Sequence, residues 1–241
     1  MELPEDTHLY KYYAYNENSL SVLINKKIWI AKPESFNDPF DCRIEFEDIT
    51  DDNLLKWIFK QMDRGTKQSE RTKQYATERL NRTIDKHFKN VGLFCMSEFK
   101  DNILMWSHYA DKHRGFCIEF TRDSDNYLGD IYRTIPINYV NEYTKMKLID
   151  STGEVYESVF YKYFFTKAKD WEYEGEWRCF YHEGGREVSM PTDISSVIFG
   201  LEMTEQHENT IKNILLGQGV RYKKAVKTAN QFKIDVIDLP K

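Results

Sequence analysis

Apolar residues along the chain follow two periods. They alternate in short runs, as in strands, and recur at i, i+3 and i+4 in longer ones, as on one face of a helix. Leu9 to Tyr13, LYKYY, reads as an aromatic strand with Lys11 at its middle. Asn16 or Asn18 then caps a helix over Ser19–Lys26, with Leu20, Leu23 and Ile24 as its buried stripe. Ile28–Ala31 is a second strand, broken by Pro33. Ser35 to Asp41, SFNDPFD, carries turn formers beside Phe36 and Phe40, so a packed turn is expected.

Between residues 51 and 90 the pattern changes. Proline is absent, glycine occurs once, and Leu54, Leu55, Ile58, Leu80 and Ile84 are spaced among charged residues. Two amphipathic helices meeting near Gly65 are expected there, as a helical insertion with a solvated face. Val91–Ser97 and Phe116–Phe120 read as apolar strands flanking a short helix. Asp101 is its expected cap, Ile103, Trp106 and Ala110 its buried face, and Lys112, His113 and Arg114 its basic end before Gly115.

Further on, Ile131–Val140 reads as an edge strand because it holds Pro136, and Ser151–Lys169 reads as a helix. Trp177–Tyr181 and a run ending at Met190, joined through Gly184-Gly185, read as a hairpin. Ser196–Phe199 is a strand, Thr204 caps a helix running to Leu216, and Phe232–Ile237 is a last strand. Strands in clusters with helices on separate stretches predict a single α+β domain over 1–241. Its expected core is a curved, mainly antiparallel sheet with flanking helices.

Composition narrows the functional classes. With 34 basic and 39 acidic residues the net charge is -5, which disfavours nucleic acid and anionic membranes as partners. Cys42, Cys95, Cys117 and Cys179 form no CxxC pair, and the last three sit in apolar runs where a thiol is inert. No run of about 18 apolar residues and no signal-like N-terminus is present, so a cytoplasmic protein is expected. No GxxxxGK[ST], GxGxxG or GxSxG occurs. His108 and His113, five apart, would diverge by roughly 140° on a helix, so no metal site is predicted.

Two stretches carry candidate chemistry. The first packs Ser107, His108, Tyr109 and Arg114 into eight positions; the second is WEYEGEWR, with Glu174 and Glu176 one glycine apart before Arg178. On an extended backbone the two carboxylates would share a side, roughly 7 Å apart at Cα. If partly buried, such a pair splits its pKa values, one group rising and the other staying ionised. Trp171, Tyr173 and Trp177 suit a flat ring ligand. The plainer alternative is that Glu174 faces solvent while Glu176 pairs with Arg178.

LYKYY, SFNDPFD, MWSHYADKHRGFCIEF and WEYEGEWR together resemble a bacterial domain-of-unknown-function family. More distantly the layout is similar to the ADP-ribosyltransferase superfamily. That resemblance matches Lys11 or Tyr10 to a first-strand NAD-binding residue, normally Arg or His, Ser107 and Tyr109 to a middle motif, and Glu176 to a late glutamate. It implies NAD as substrate, with Glu176 holding the ribose 2′-hydroxyl and stabilising an oxocarbenium centre, and Glu174 activating an acceptor that the sequence leaves unknown. His108, Arg114 and Arg178 complete the expected site. The alternative is a non-catalytic nucleotide- or peptide-binding module, including one in a toxin or phage-defence system.

Overall fold

The computed structural model describes residues 7–42, 78, 82, 88–142 and 157–240. Its centre is an eight-stranded sheet that does not close, all of whose pairings are antiparallel except one. In chain order the strands of the fold are β1 (Thr7–Tyr13), β2 (Lys27–Ile30), β3 (Gly92–Ser97), β4 (Phe116–Arg122), β5 (Thr134–Pro136) and β6 (Asn138–Val140). There follow β7 (Thr166–Ala168), β8 (Glu176–Tyr181), β9 (Arg186–Ser189), β10 (Ile194–Phe199), β11 (Arg221–Lys227) and β12 (Ile234–Asp238). The large sheet has the order β12-β11-β10-β4-β1-β3-β8-β5, with β10 and β11 the parallel pair, while β2-β9 and β6-β7 form two small sheets. The helices discussed below are α1 (Glu17–Asn25), α2 (Ile103–Tyr109), α3 (Glu157–Phe164) and α4 (Glu205–Ile214). The mixed α+β class and the antiparallel character agree with the reading from the sequence.

Alternation explains the two layers. In β4, Phe116, Ile118 and Phe120 join Leu23 of α1 and Ile211 of α4 in one core, whereas Cys117 joins Trp106 of α2 with Tyr12 and Ile198 in another. Trp106 is fully buried, meets Tyr12 edge-on at 5.0 Å and donates its indole N–H to the Lys100 carbonyl at 2.9 Å. A cavity at such a position costs about 3–5 kcal/mol. This anchor holds α2 to the sheet and brings Tyr109, on its last turn, over the β1–β3 side.

Local chemistry accounts for the helix starts. Asn16 and Ser19 form a reciprocal capping box for α1, and Thr204 caps α4. For α2 the cap is Asn102, not Asp101: its side chain accepts from the backbone of Leu104 and Met105. Nor does α2 reach Arg114. Asp111, Lys112 and His113 all have positive φ, and the chain turns back so that the His113 carbonyl accepts from Glu202 at 3.0 Å. Gly115 is required by close approach, since a Cβ there would lie 2.0 Å from the Tyr13 carbonyl oxygen.

Three further expectations change. The Gly184-Gly185 turn does not close a hairpin; β9 pairs with β2, because Gly184 packs against Gly92 and the Gly185 amide donates to the Ile30 carbonyl. The helix expected to Lys169 ends at Phe164, and Lys167 lies in β7, paired in parallel with β6. The expected strand 131–140 is divided after Pro136, where the Ile137 amide turns to the Glu176 carbonyl. Phe36 packs in the turn as expected, whereas Phe40 is 70% exposed. The expected helices between 51 and 90 lie outside the described residues, save for helical 78, 82 and 88–90. Among the described residues no helix is long and apolar enough to cross a membrane.

Candidate functional site

The site begins with a defect in the sheet. β3 is fully paired with β8 on one side. On the other it meets β1 only at Tyr10–Ser97 and the chain after β2 only at Ala31–Leu93. Between these points Phe94, Cys95 and Met96 have no ladder partner on that side, and β1, α1 and β2 splay away from them around a cleft of about 860 Å³. The alternation of an antiparallel ladder turns the backbone of residues 93, 95 and 97 toward that gap. Lys11 reaches across it, donating from Nζ to the Cys95 carbonyl at 2.7 Å, with the ammonium 5.3 Å from the Phe94 ring centroid. An edge carbonyl that would otherwise lack a partner is thereby satisfied.

At one end of the cleft is a buried ionic network. Arg178 is wholly buried and forms a fork to each of two carboxylates. Its Nε and Nη2 donate to Glu176 at 2.7 and 3.0 Å, and its Nη1 and Nη2 to Asp41 at 3.0 and 2.6 Å. Its Nη1 also donates to the Phe164 carbonyl. Lys167 lies against the same acids, at 2.5 Å from Glu174, 3.0 Å from Glu176 and 3.7 Å from Asp41, with its ammonium over the Trp171 ring. Tyr109 donates its hydroxyl to Glu174, and Ser97 donates to the Glu174 carbonyl. The Glu176 amide donates to the Tyr139 hydroxyl.

Glu174 and Glu176 come together by a different route from that expected. They do not share a strand: Glu174 ends a 3-10 turn, Gly175 is left-handed at φ 48°, and Glu176 opens β8. Lys167 gathers both carboxylates, and both are buried, at 3% and 6% exposure. Glu176 does pair with Arg178, as in the plainer alternative, but Glu174 does not face solvent.

Of the two expected carboxylates, Glu176 is the one that the electrostatics keep ionised. Burial opposes its charge, but Arg178 and Lys167 outweigh burial and hold it well below the ordinary glutamate range. It is ionised at any physiological pH, hence an acceptor and a stabiliser of positive charge, not a proton donor. Burial likewise works against the Lys167 ammonium, while Glu176 and Glu174 hold it charged. Burial and then Glu174 push the Tyr109 hydroxyl up, and burial and then Glu176 do the same to the Cys95 thiol. Neither supplies an anionic nucleophile. Three carboxylates face two cations in this network, leaving one negative charge in excess.

The structure brings together Tyr10, Lys11, Tyr109, Glu174 and Glu176 as cleft lining, with Arg178 behind them. Ser107, His108 and Arg114 are not part of that lining. His108 is exposed beside Tyr109 and Tyr173, and Arg114 is exposed and paired with Asp111 at 2.8 Å. Lys167 escaped the sequence reading because helical periodicity placed it at the end of the helix expected over Ser151–Lys169; its density of aromatic and acidic neighbours was the available signal. Asp41, which the turn composition offers as an acceptor for nearby backbone amides or as a direct ligand, accepts from the side chain of Arg178. Among the described residues no group of His, Cys, Asp and Glu is placed to hold a metal ion.

No curated protein and no solved structure matches the chain. Residues 105–179, from α2 to β8, match a family model described as Protein of unknown function (DUF2971), and this matched span carries Tyr109, Lys167, Glu174, Glu176 and Arg178.

Proposed function

We propose that the cleft binds NAD and cleaves its nicotinamide–ribose bond, as an ADP-ribosyltransferase-like enzyme or NAD glycohydrolase. The observation that carries this reading is a buried Glu176 carboxylate, held by the Arg178 fork and Lys167, at the end of a cleft walled by Tyr10, Tyr12, Tyr13 and Phe94. In the proposed reaction the C1′–N bond breaks, its electron pair returns to the pyridinium nitrogen, and nicotinamide leaves neutral. Positive charge moves to the ribose, where Glu176 and the excess negative charge around it lower its energy. Water or an acceptor then forms the new bond to C1′ and loses its proton, with Glu174 as the nearby base. The aromatic walls suit the flat ring, and the volume is within the usual range for small-ligand sites.

A second reading has its own support. Both oxygens of Glu176 already accept from Arg178 or Lys167, an arrangement equally suited to a rigid, non-catalytic nucleotide-binding module. One experiment separates the two: calorimetric titration with NAD, then a nicotinamide-release assay, on the wild type and Glu176→Gln, with circular dichroism to verify folding. The enzymatic reading expects release that falls at least about 100-fold in the folded variant. Binding without release favours the module, and no binding by the wild type removes both.

A further inference from the structure

At another wall of the cleft, β2 and β9 present a small two-stranded face that the network above does not use. Ile28 and Ile30 are fully buried on its inner side, so the residue between them, Trp29, points the other way and is 56% exposed. An indole left that open on a strand between two core residues gains nothing from the core. Trp29 nevertheless lines the cleft, and directly across the ladder from it is Glu187, which lines the cleft too. Among the described residues Trp29 has no ring or cation partner, and the Glu187 carboxylate has no hydrogen bond or ion pair. Cross-strand partners hold their Cβ atoms about 5 Å apart, so a ring stacked on the indole would bring its edge to the carboxylate.

We infer that Trp29 and Glu187 form a base subsite for a purine bearing an exocyclic amine, Trp29 stacking on the ring and Glu187 accepting from the amino group. Stacking alone tolerates any base, because each presents a π face. The carboxylate adds selectivity, since it can only accept hydrogen bonds and therefore favours a ring edge that donates one. The ion network approaches the cleft from the opposite side of β3. The contacts at Leu93 and Ser97 that bound the gap are four residues, roughly 13 Å, apart along the strand. A ligand with a base at Trp29 and a ribose near Glu176 would lie along the unpaired edge past Lys11. The inference deepens the proposed function and rests on it for the nucleoside character of the ligand.

The test is calorimetric titration of the full chain with adenosine and with purine riboside, which stacks equally but lacks the amine. It is repeated on Trp29→Ala and Glu187→Gln. Both substitutions are at exposed positions and should leave the fold intact. Adenosine is expected to bind about tenfold more tightly than purine riboside, as a hydrogen bond to a charged group requires. Glu187→Gln should bring that ratio close to one, and Trp29→Ala should weaken both nucleosides at least about fivefold. Equal affinities in the wild type, an unchanged ratio in Glu187→Gln, or unchanged adenosine affinity in Trp29→Ala would overturn the assignment. Nicotinamide release whose KM for NAD is the same in Trp29→Ala would sink the subsite and leave the cleavage reading standing. The expected adenosine pattern with no nicotinamide release would do the reverse.

Discussion

Two groups of charges sit on this sheet, and they solve the same problem differently. Around Glu119 of β4, one buried carboxylate is met by Lys223 at 2.6 Å, Arg221 at 3.6 Å and His8 at 3.5 Å. Cations outnumber acids there, and Arg221 reaches water. Around Glu176 the balance is inverted: Asp41, Glu174 and Glu176 face Lys167 and Arg178, and all five are buried. A single buried acid met by two basic side chains, one of them exposed, is a cross-strand clamp between β4 and β11. Three acids held below the surface by two cations carry a desolvation cost that packing alone does not require. That the costly arrangement borders the cleft, while the cheaper one does not line it, makes the first the better candidate for chemistry.

The comparison breaks most readily at Arg178. Arg178→Met leaves two buried carboxylates without their forked partner and should destabilise the protein by about 3–5 kcal/mol in urea denaturation. Lys223→Met leaves Glu119 with Arg221 and His8 nearby, and about 2 kcal/mol is expected. If the Lys223 variant is the less stable of the two, the contrast between the regions is wrong.

Acid titration sharpens the same contrast. Glu176 is held below its ordinary value of about 4.5, so its stabilising contribution is complete above that pH and is lost as pH falls towards the folded value. Glu119 is also lowered, because Lys223 and His8 outweigh its burial. Stability followed from pH 7 into acid should therefore decline for the wild type below about pH 4.5, and Glu176→Gln should flatten that decline more than Glu119→Gln. For Lys167 the sign is opposite: its raised folded value keeps its contribution present below its ordinary pKa of about 10.5, with loss only at higher pH. The smallest effect is expected at Arg114, which is exposed and, among the described residues, pairs only with Asp111 in its own turn. Arg114→Ala should leave both the unfolding midpoint and NAD affinity unchanged.

The difference between the two regions also separates what was readable in advance from what was not. Glu174, Glu176 and Arg178 stood out because they occupy one short acidic and aromatic word. Ser107, His108 and Arg114 stood out on the same ground, yet α2 is seven residues long and directs only some of its side chains to the cleft. Local density marks a segment, but the helix face decides which members reach the site. Trp29 and Glu187 illustrate the converse: 158 positions apart in the chain, they carry no common sequence signal and become neighbours only because β9 leaves β8 to pair with β2.

By itself the sequence determined the α+β class, most strand positions, the cap of α4, the choice of Asn16 or Asn18 at the start of α1, and the burial of Cys117 and Cys179 though not of Cys95, because these depend on periodicity and on chemistry within a few residues. It also determined that Glu174, Glu176 and Arg178 would be close, since they are nearly adjacent. Tertiary structure alone decided that Lys167 would be an ion-network strand residue and not a helix end, that Asp41 would close on Arg178, and that β1 and β2 would part to leave a cleft. Each depends on which distant segments satisfy one another's buried charges and backbone groups, a condition that no local pattern encodes.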